Sequence, residues 1–266
     1  MRRASEIHEK IGMCGAINMG NDLDATVIYI HSLFVKKKYR NKGLAVEILM
    51  ALMKETAIWG ESRRFVAEIE STNKPSLKVF NKMGAKIISS HKQVLLPLSK
   101  ICGANNFEGI ELITLDSATQ LNYFNEYKSY IEKFGVFDLN LWLSSNSNRK
   151  IYIYRNEENE CVAGICLCES FLEKVMYFKK LPSIIHFLNK FMKIINKKGE
   201  IRYLKVDAVW CHPNYSKEFN ILLSYLKRKY QNQASVMLVK IIDQQMQQYF
   251  RSKPWNPSTK VHHVEF

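Results

Sequence analysis

The chain has 266 residues, enough for one large domain or two of ordinary size, and 47% of them are hydrophobic, enough to fill real cores. Its 39 Lys and Arg against 25 Asp and Glu give a net charge of +14, which fits nucleic acid, an acidic surface, a polyanionic cofactor or a merely soluble basic face. No apolar run approaches the roughly 18 residues of a membrane helix, and the polar start Met1-Arg2-Arg3-Ala4-Ser5-Glu6 lacks a secretory core, so the expectation is a cytoplasmic chain with no membrane span.

In chain order, Ala4–Ile7 and Ile11–Met19 read as a hairpin around His8-Glu9-Lys10, and residues 20 to 25 as a loop. Val27–Val35 is a strand rich in β-formers. Val35-Lys36-Lys37-Lys38-Tyr39-Arg40-Asn41-Lys42-Gly43-Leu44-Ala45 then leads into a helix over Gly43–Trp59, with Leu44, Ile48, Leu49, Leu52 and Met53 at helical spacing. Between strand and helix stands Arg40-x-x-Gly43-x-Ala45. Such a turn stacks backbone N–H groups at the positive end of the helix dipole, a seat for a phosphate or pyrophosphate. Gly43 lets a ligand approach the backbone, and Lys36, Lys37, Lys38 and Arg40 surround the seat. Phe65–Glu70 is the next strand. Asn73 is an N-cap, Pro75 suits a first turn, and Gly84 closes that second helix. Lys86–Ser90 and Gln93–Leu98 read as a strand pair.

The order of these elements resembles the GNAT N-acetyltransferase superfamily over residues 4 to about 98. Two motifs carry the resemblance: Val35 through Ala45, similar to the family's Arg-x-x-Gly-x-Gly/Ala turn, and Asn73-x-x-Ser76 followed by Phe80 and Gly84. It implies an α/β fold with a central mixed sheet flanked by helices, and acetyl-CoA as acyl-donor cosubstrate. The backbone of Asn41, Lys42, Gly43, Leu44 and Ala45 would bind the CoA pyrophosphate. Leu33, Phe34 and Val35 would end a strand that splays from its neighbour and bonds the pantetheine arm. Asn73, Ser76 and Phe80 would meet the cofactor from the second segment, and Arg40 or a lysine its 3′-phosphate.

Amine acetylation needs an uncharged amine, a polarised carbonyl and a proton for the thiolate. The family often carries its base on the strand that is Val27–Val35 here. Tyr29 and His31 share one face of it, about 6.6 Å apart at roughly 3.3 Å per residue. Leu33 and Val35 share that face unless a bulge shifts the phase. His31 is the candidate base, because an unperturbed imidazole titrates near pH ~6.5. A hydrogen-bonded strand histidine is the plainer alternative. Tyr29, and Glu68 and Glu70 on the next strand, are further candidates. Two features depart from the family pattern. Phe80 stands where a tyrosine often serves as acid, and the strand and two helices that begin a family domain are missing before the hairpin.

Residues 99–106 read as a linker. The second half then gives Glu108–Leu115 (strand), Ala118–Phe134 and Phe137–Leu143 (helices), and Ile151–Arg155 with Cys161–Glu169 (hairpin). A basic helical stretch follows from about Pro182 to Lys198. Tyr203–Trp210 (strand), Lys217–Tyr230 (helix), Val236–Ile242 (strand), Gln244–Ser252 (helix) and Lys260–Phe266 (strand) complete it. This is a coarse repeat of the same order. Its turn, Cys211-His212-Pro213-Asn214-Tyr215-Ser216, has no glycine, and Pro213 removes a donor. The expected organisation is therefore an incomplete cofactor lobe (1–98), a linker (99–106) and a second GNAT-like lobe without the seat (107–266). Residues 108–143 are a candidate replacement for the missing beginning.

Six cysteines at 14, 102, 161, 166, 168 and 211 show no paired ligand spacing, so reduced thiols and no metal are expected. The functional expectation is N-acetyl transfer to a primary amine of a small molecule or peptide. A CoA- or partner-binding protein without activity is the alternative, the charge alone leaves nucleic acid as a third reading, and a dimer is left open.

Overall fold

The computed structural model describes residues 11–22, 24–98, 107–113, 132–133, 148–172, 175–177, 189, 195, 199–250 and 258–266. Its first elements are β1 (Gly12–Asp22), β2 (Ala25–Val35), α1 (Leu44–Glu55), β3 (Arg63–Glu70), α2 (Lys74–Lys82) and β4 (Lys86–Pro97). Then come β5 (Ile110–Ile113), β6 (Arg149–Arg155), β7 (Cys161–Cys168), β8 (Val175–Tyr177) and β9 (Glu200–Cys211). The chain continues with α3 (Ser216–Tyr230), β10 (Val236–Ile241), α4 (Gln244–Tyr249) and β11 (Ser258–Glu265). Two compact units result, Met1–Ser90 with Val261–Phe266, and His91–Lys260.

In the first unit β1 pairs antiparallel with β2, β2 parallel with β3, and β3 antiparallel with β11. The last strand of the sequence is thus part of the first unit, where the expectation set it at the end of the second lobe. Alternation along the strands sorts the side chains. Ile28 and Ile30 of β2, Phe65, Ala67 and Ile69 of β3 and Val264 of β11 point into one core with Leu49 of α1 and Phe80 of α2. The opposite face carries Tyr29, His31, Val66, Glu68 and His263. The loop expected over 20–25 is mostly strand, since β1 runs to Asp22 and β2 starts at Ala25. The strand pair expected at 86–98 is one strand, because His91, which reads as a polar break, is buried within extended backbone. Ala4–Ile7 lies outside the described residues.

In the second unit the described strands run β4-β10-β9-β7-β6-β5, with β8 also on β9. β9 and β10 are parallel and joined through α3, the same strand–helix–strand unit that β2, α1 and β3 form in the first. The α3 side chains Phe219, Leu222, Leu223 and Leu226 fill the core. A buried polar chain crosses it: Tyr152 and Tyr230 share a hydroxyl bond of 3.0 Å, Tyr230 donates to Glu169 at 2.6 Å, and Lys150 pairs with that carboxylate at 2.7 Å. Burial and the Glu169 bond push the Tyr230 hydroxyl far up, so it stays protonated. The expected linker at 99–106 lies outside the described residues. So do almost all of the helices expected at 118–143 and the basic stretch at 182–198.

Gly164 on β7 sits opposite Trp210 on β9, and an added Cβ would come within 1.8 Å of the indole. Trp210 is fully buried, so the ring has little room to yield. Gly164→Ala is expected to cost about 1–3 kcal/mol through overpacking. Urea unfolding checks this, and an unchanged midpoint would mean that the indole is loosely held.

Candidate functional site

The pairing of β2 with β3 covers only Thr26 to Tyr29 against Arg63 to Val66. Beyond Tyr29 and Val66 the two strands part. β2 continues to Val35, held on its other side by β1 through Met13↔Phe34 and Gly12↔Val35. β3 continues to Glu70, held by β11. The stretch of β2 from Ile30 to Val35 therefore turns one edge of its backbone toward the gap, where an extended ligand could add hydrogen bonds.

A bulge shapes this stretch. Two steps on β1, Met13 to Gly15, face three on β2, His31 to Phe34, and Ser32 takes a left-handed φ of 56°. The phase flips there. Leu33 packs on the Ile28 and Ile30 core and Val35 is buried, while Phe34 is 47% exposed. Leu33 and Val35 are thus on the face opposite Tyr29 and His31, because the extra residue inverts the alternation. The His31 ring stacks parallel to that of Tyr29, with centroids 6.3 Å apart, and its Nδ1 is 2.9 Å from Ser32 Oγ. It lies over Gly15, where a Cβ would come within 2.5 Å of it. Opposite the bulge, burial pushes the Cys14 thiol up to about 11, so it is no ready nucleophile.

Past Val35 the chain makes a 3₁₀ turn at Lys37–Tyr39 and reaches α1 through two left-handed residues, Asn41 (φ 63°) and Gly43 (φ 85°). Arg40 Nε donates to Val35 O at 2.9 Å and clamps the turn to the strand end. The first bonds of α1 run from Val46 and Glu47 to Gly43 O. The N–H groups of Asn41, Lys42, Gly43, Leu44 and Ala45 precede them, and no acceptor among the described residues takes them. Five successive donors at a helix start, with Lys42 and Arg40 exposed beside them, form an anion seat.

At α2, Asn73 Oδ1 accepts from Ser76 N at 3.2 Å, so Asn73 caps the helix. Ser76 is half-buried in the first turn. Phe80, expected at the cofactor, is 3% exposed and packs on the Phe266 ring at 5.4 Å, which makes it a core side chain. In the second unit the turn between β9 and α3 has two of its donors in use and lacks a third. His212 N–H goes to Val162 O, Pro213 has none, and Tyr215 N–H goes to His212 O.

The arrangement brings the expected catalytic groups Tyr29, His31 and Glu68 to one sheet face at the parting of the strands. Sequence reasoning missed three participants: Gly15, which makes room for His31; Ser32, which sets the bulge; and His263, which faces Glu68 from β11.

A strand pair that opens above an N–H-rich turn suits an extended, anionic ligand. Residues 4–85 match the family model of the acetyltransferase (GNAT) family. Solved structures agree on the fold. The chain is similar to Saccharomyces cerevisiae N-myristoyltransferase with bound myristoyl-CoA, at TM-score 0.64 and 10% identity over 96% of this chain and 63% of that one. A second yeast N-myristoyltransferase structure, with myristoyl-CoA and inhibitors, gives TM-score 0.64 and 9% identity over 99% and 66%. A putative acetyltransferase from Pyrococcus horikoshii gives 0.55 and 11% over 96% and 69%. The chain thus spans just under two thirds of the length of the yeast enzymes it matches. No curated protein matches by sequence. No described helix is long and apolar enough to cross a membrane.

Proposed function

We propose that this protein is an N-acyltransferase that moves an acyl group from acyl-CoA, by default acetyl-CoA, to a primary amine of a small molecule or peptide. The five unclaimed N–H groups of Asn41 to Ala45, directly beyond the parted strands, carry this reading. They suit a pyrophosphate, the exposed edge of β2 suits a pantetheine arm, and Arg40, whose terminal nitrogens make no other hydrogen bond among the described residues, suits a further phosphate. Leu44 and Ala45 start the helix beneath the seat, and Asn73 and Ser76 supply the second segment. The second unit is proposed as a GNAT-like lobe that takes no donor, because its turn has no glycine and Pro213 removes an N–H.

In the proposed reaction the amine nitrogen attacks the thioester carbonyl carbon. The C–N bond forms, the C–S bond breaks, and the proton of the amine passes to His31. Coenzyme A departs as thiolate and is protonated by water or Tyr29, since Phe80 cannot donate. His31→Gln is expected to lower kcat about 100-fold while leaving donor binding unchanged. Stopped assays of thiol release across pH would show it, and wild-type turnover at every pH would remove His31 from the role. The core position of Phe80 favours one second reading, a CoA-binding protein without turnover. Thiol release with a panel of amines separates the two. The described cysteines carry no disulfide, which fits the proposed cytoplasmic location.

A further inference from the structure

We propose that Met13 and Phe34 form an apolar platform that selects the acceptor, so that the preferred substrate is a monoamine with an aromatic or branched apolar group close to its nitrogen. The inference rests on the acyltransferase reading of the first unit. Register sets three rows of β1 and β2 in succession: Met13 with Phe34, Gly15 with His31, and Ile17 with Tyr29. Cys14, Ala16, Ile30 and Leu33 pack on the core, so the residues of these rows share the opposite face. An added Cβ on Gly15 would strike the His31 ring, which fixes the face of that pair directly. The only ionisable groups in the rows are the Tyr29 hydroxyl and the His31 imidazole. Burial grades along this face. Val27, two residues before Tyr29, is 1% exposed, Tyr29, His31, Gly15 and Ile17 are half-buried, and Phe34 and Met13 are 47% and 56% exposed. The face is closed at one end and open at the other, and His31 stands at the transition.

Directly opposed residues bring their Cβ atoms to within about 4.5–5.5 Å, so Met13 and Phe34 act as one surface. Two residues of β1 separate that surface from the Gly15 row, about 6.8 Å at roughly 3.4 Å each. Gly15 adds no side chain to the interval, and the His31 ring lies over it. An amine held at His31 therefore reaches the platform through a short spacer. A phenylalanine and a methionine side by side in water are costly to hydrate, and an apolar group laid across them removes that cost. Charge narrows the class further. Lys36, Lys37 and Lys38 follow directly on Val35, in a chain of net charge +14, so a second ammonium on the acceptor is repelled at this end. Met13 and Phe34 touch the flank of the acceptor and no reacting atom, so they set specificity and leave the proton transfer to His31.

The test uses the full chain and saturating acetyl-CoA at neutral pH, with ethylamine, phenethylamine and cadaverine as acceptors. Wild type should favour phenethylamine over ethylamine about tenfold in kcat/KM, nearly all of it in KM, and should use cadaverine no better than ethylamine. Met13→Ser should reduce the preference for phenethylamine about threefold and leave kcat/KM for ethylamine unchanged. Phe34→Ala should bring the two amines close to equality. Equal use of both by wild type, or an undiminished preference in the two variants, overturns the proposal. NMR of isotope-labelled methionine methyls needs no turnover. The ring current of phenethylamine should move the Met13 methyl resonance, identified by its loss in Met13→Ser, and an unmoved resonance overturns the platform even if no acceptor reacts. A resonance that moves with protein concentration and not with phenethylamine would give the patch to a second copy of the chain and equally overturn it. A Met13 methyl that responds to phenethylamine, with no thiol released by any amine, would uphold the platform and count against the acyltransferase reading.

Discussion

Gly43→Glu should weaken binding of acetyl-CoA by at least about 100-fold, or about 2.7 kcal/mol, with the fold kept. Gly43 has a left-handed φ of 85°, which costs roughly 1 kcal/mol for a residue with a Cβ. The larger effect is electrostatic. The new carboxylate would occupy the mouth of a turn whose five N–H groups await an anion, and it would repel the pyrophosphate at short range. Space is not the obstacle, because a Cβ at Gly43 meets nothing nearer than the Glu47 carboxylate at 3.7 Å. Gly43→Ala, which carries the strain without the charge, should therefore lose much less affinity. Calorimetric titration with acetyl-CoA and with desulfo-CoA compares the two variants. Equal losses from Ala and Glu would show that backbone geometry, not charge, governs the seat, and undiminished binding to Gly43→Glu would place the donor elsewhere.

Val264→Asp should destabilise the first unit by about 4 kcal/mol, the cost of leaving a carboxylate unpaired in an apolar core. Val264 is 2% exposed, lies opposite Ala67 and packs in the core of the first unit. Hydrogen exchange is the direct measure. Amides of β2 and β3 should lose protection while those of β6, β7 and β9 keep it. Uniform loss, or none, would contradict the assignment of the last strand to the first unit. Glu265→Ala is the matched control on the same strand. Its carboxylate is 3.9 Å from Arg64 Nε and about a third exposed, so its removal should change stability by less than about 1 kcal/mol.

What could be read from sequence was whatever depends on neighbours along the chain. The β-branched run of β2, the glycine of the turn, the heptad-like apolar spacing of α1 and the Asn73 cap each encode their own conformation. The organisation of the sheet was harder. Nothing local marks Lys260–Phe266 as a partner of Phe65–Glu70, and the pairing of Glu68 with His263 exists only through that long-range register. The bulge was foreseeable only as a contingency, because serine at positive φ has no composition signal. His91 and Lys92 read as a break because the burial of His91 depends on tertiary structure rather than on local sequence. Phe80 shows how a motif carries less than the fold does: the spacing after Asn73 marks the position, but its packing on Phe266 follows from the long-range placement of the last strand.

The placement of β11 also orders events during synthesis. The donor turn leaves the ribosome early, with α1, β3 and α2 soon behind it, yet β3 lacks its antiparallel neighbour until Ser258 and the residues after it are made. At roughly 5–20 residues per second, the interval from Lys82 to Ser258 is on the order of 10–35 s. Throughout it the β3 edge is open to pairing with another nascent chain. The protein thus has a vulnerable adolescence built into its topology, in which the half translated first is completed last, and its yield in cells should respond to chaperone supply and translation speed more than its final stability suggests.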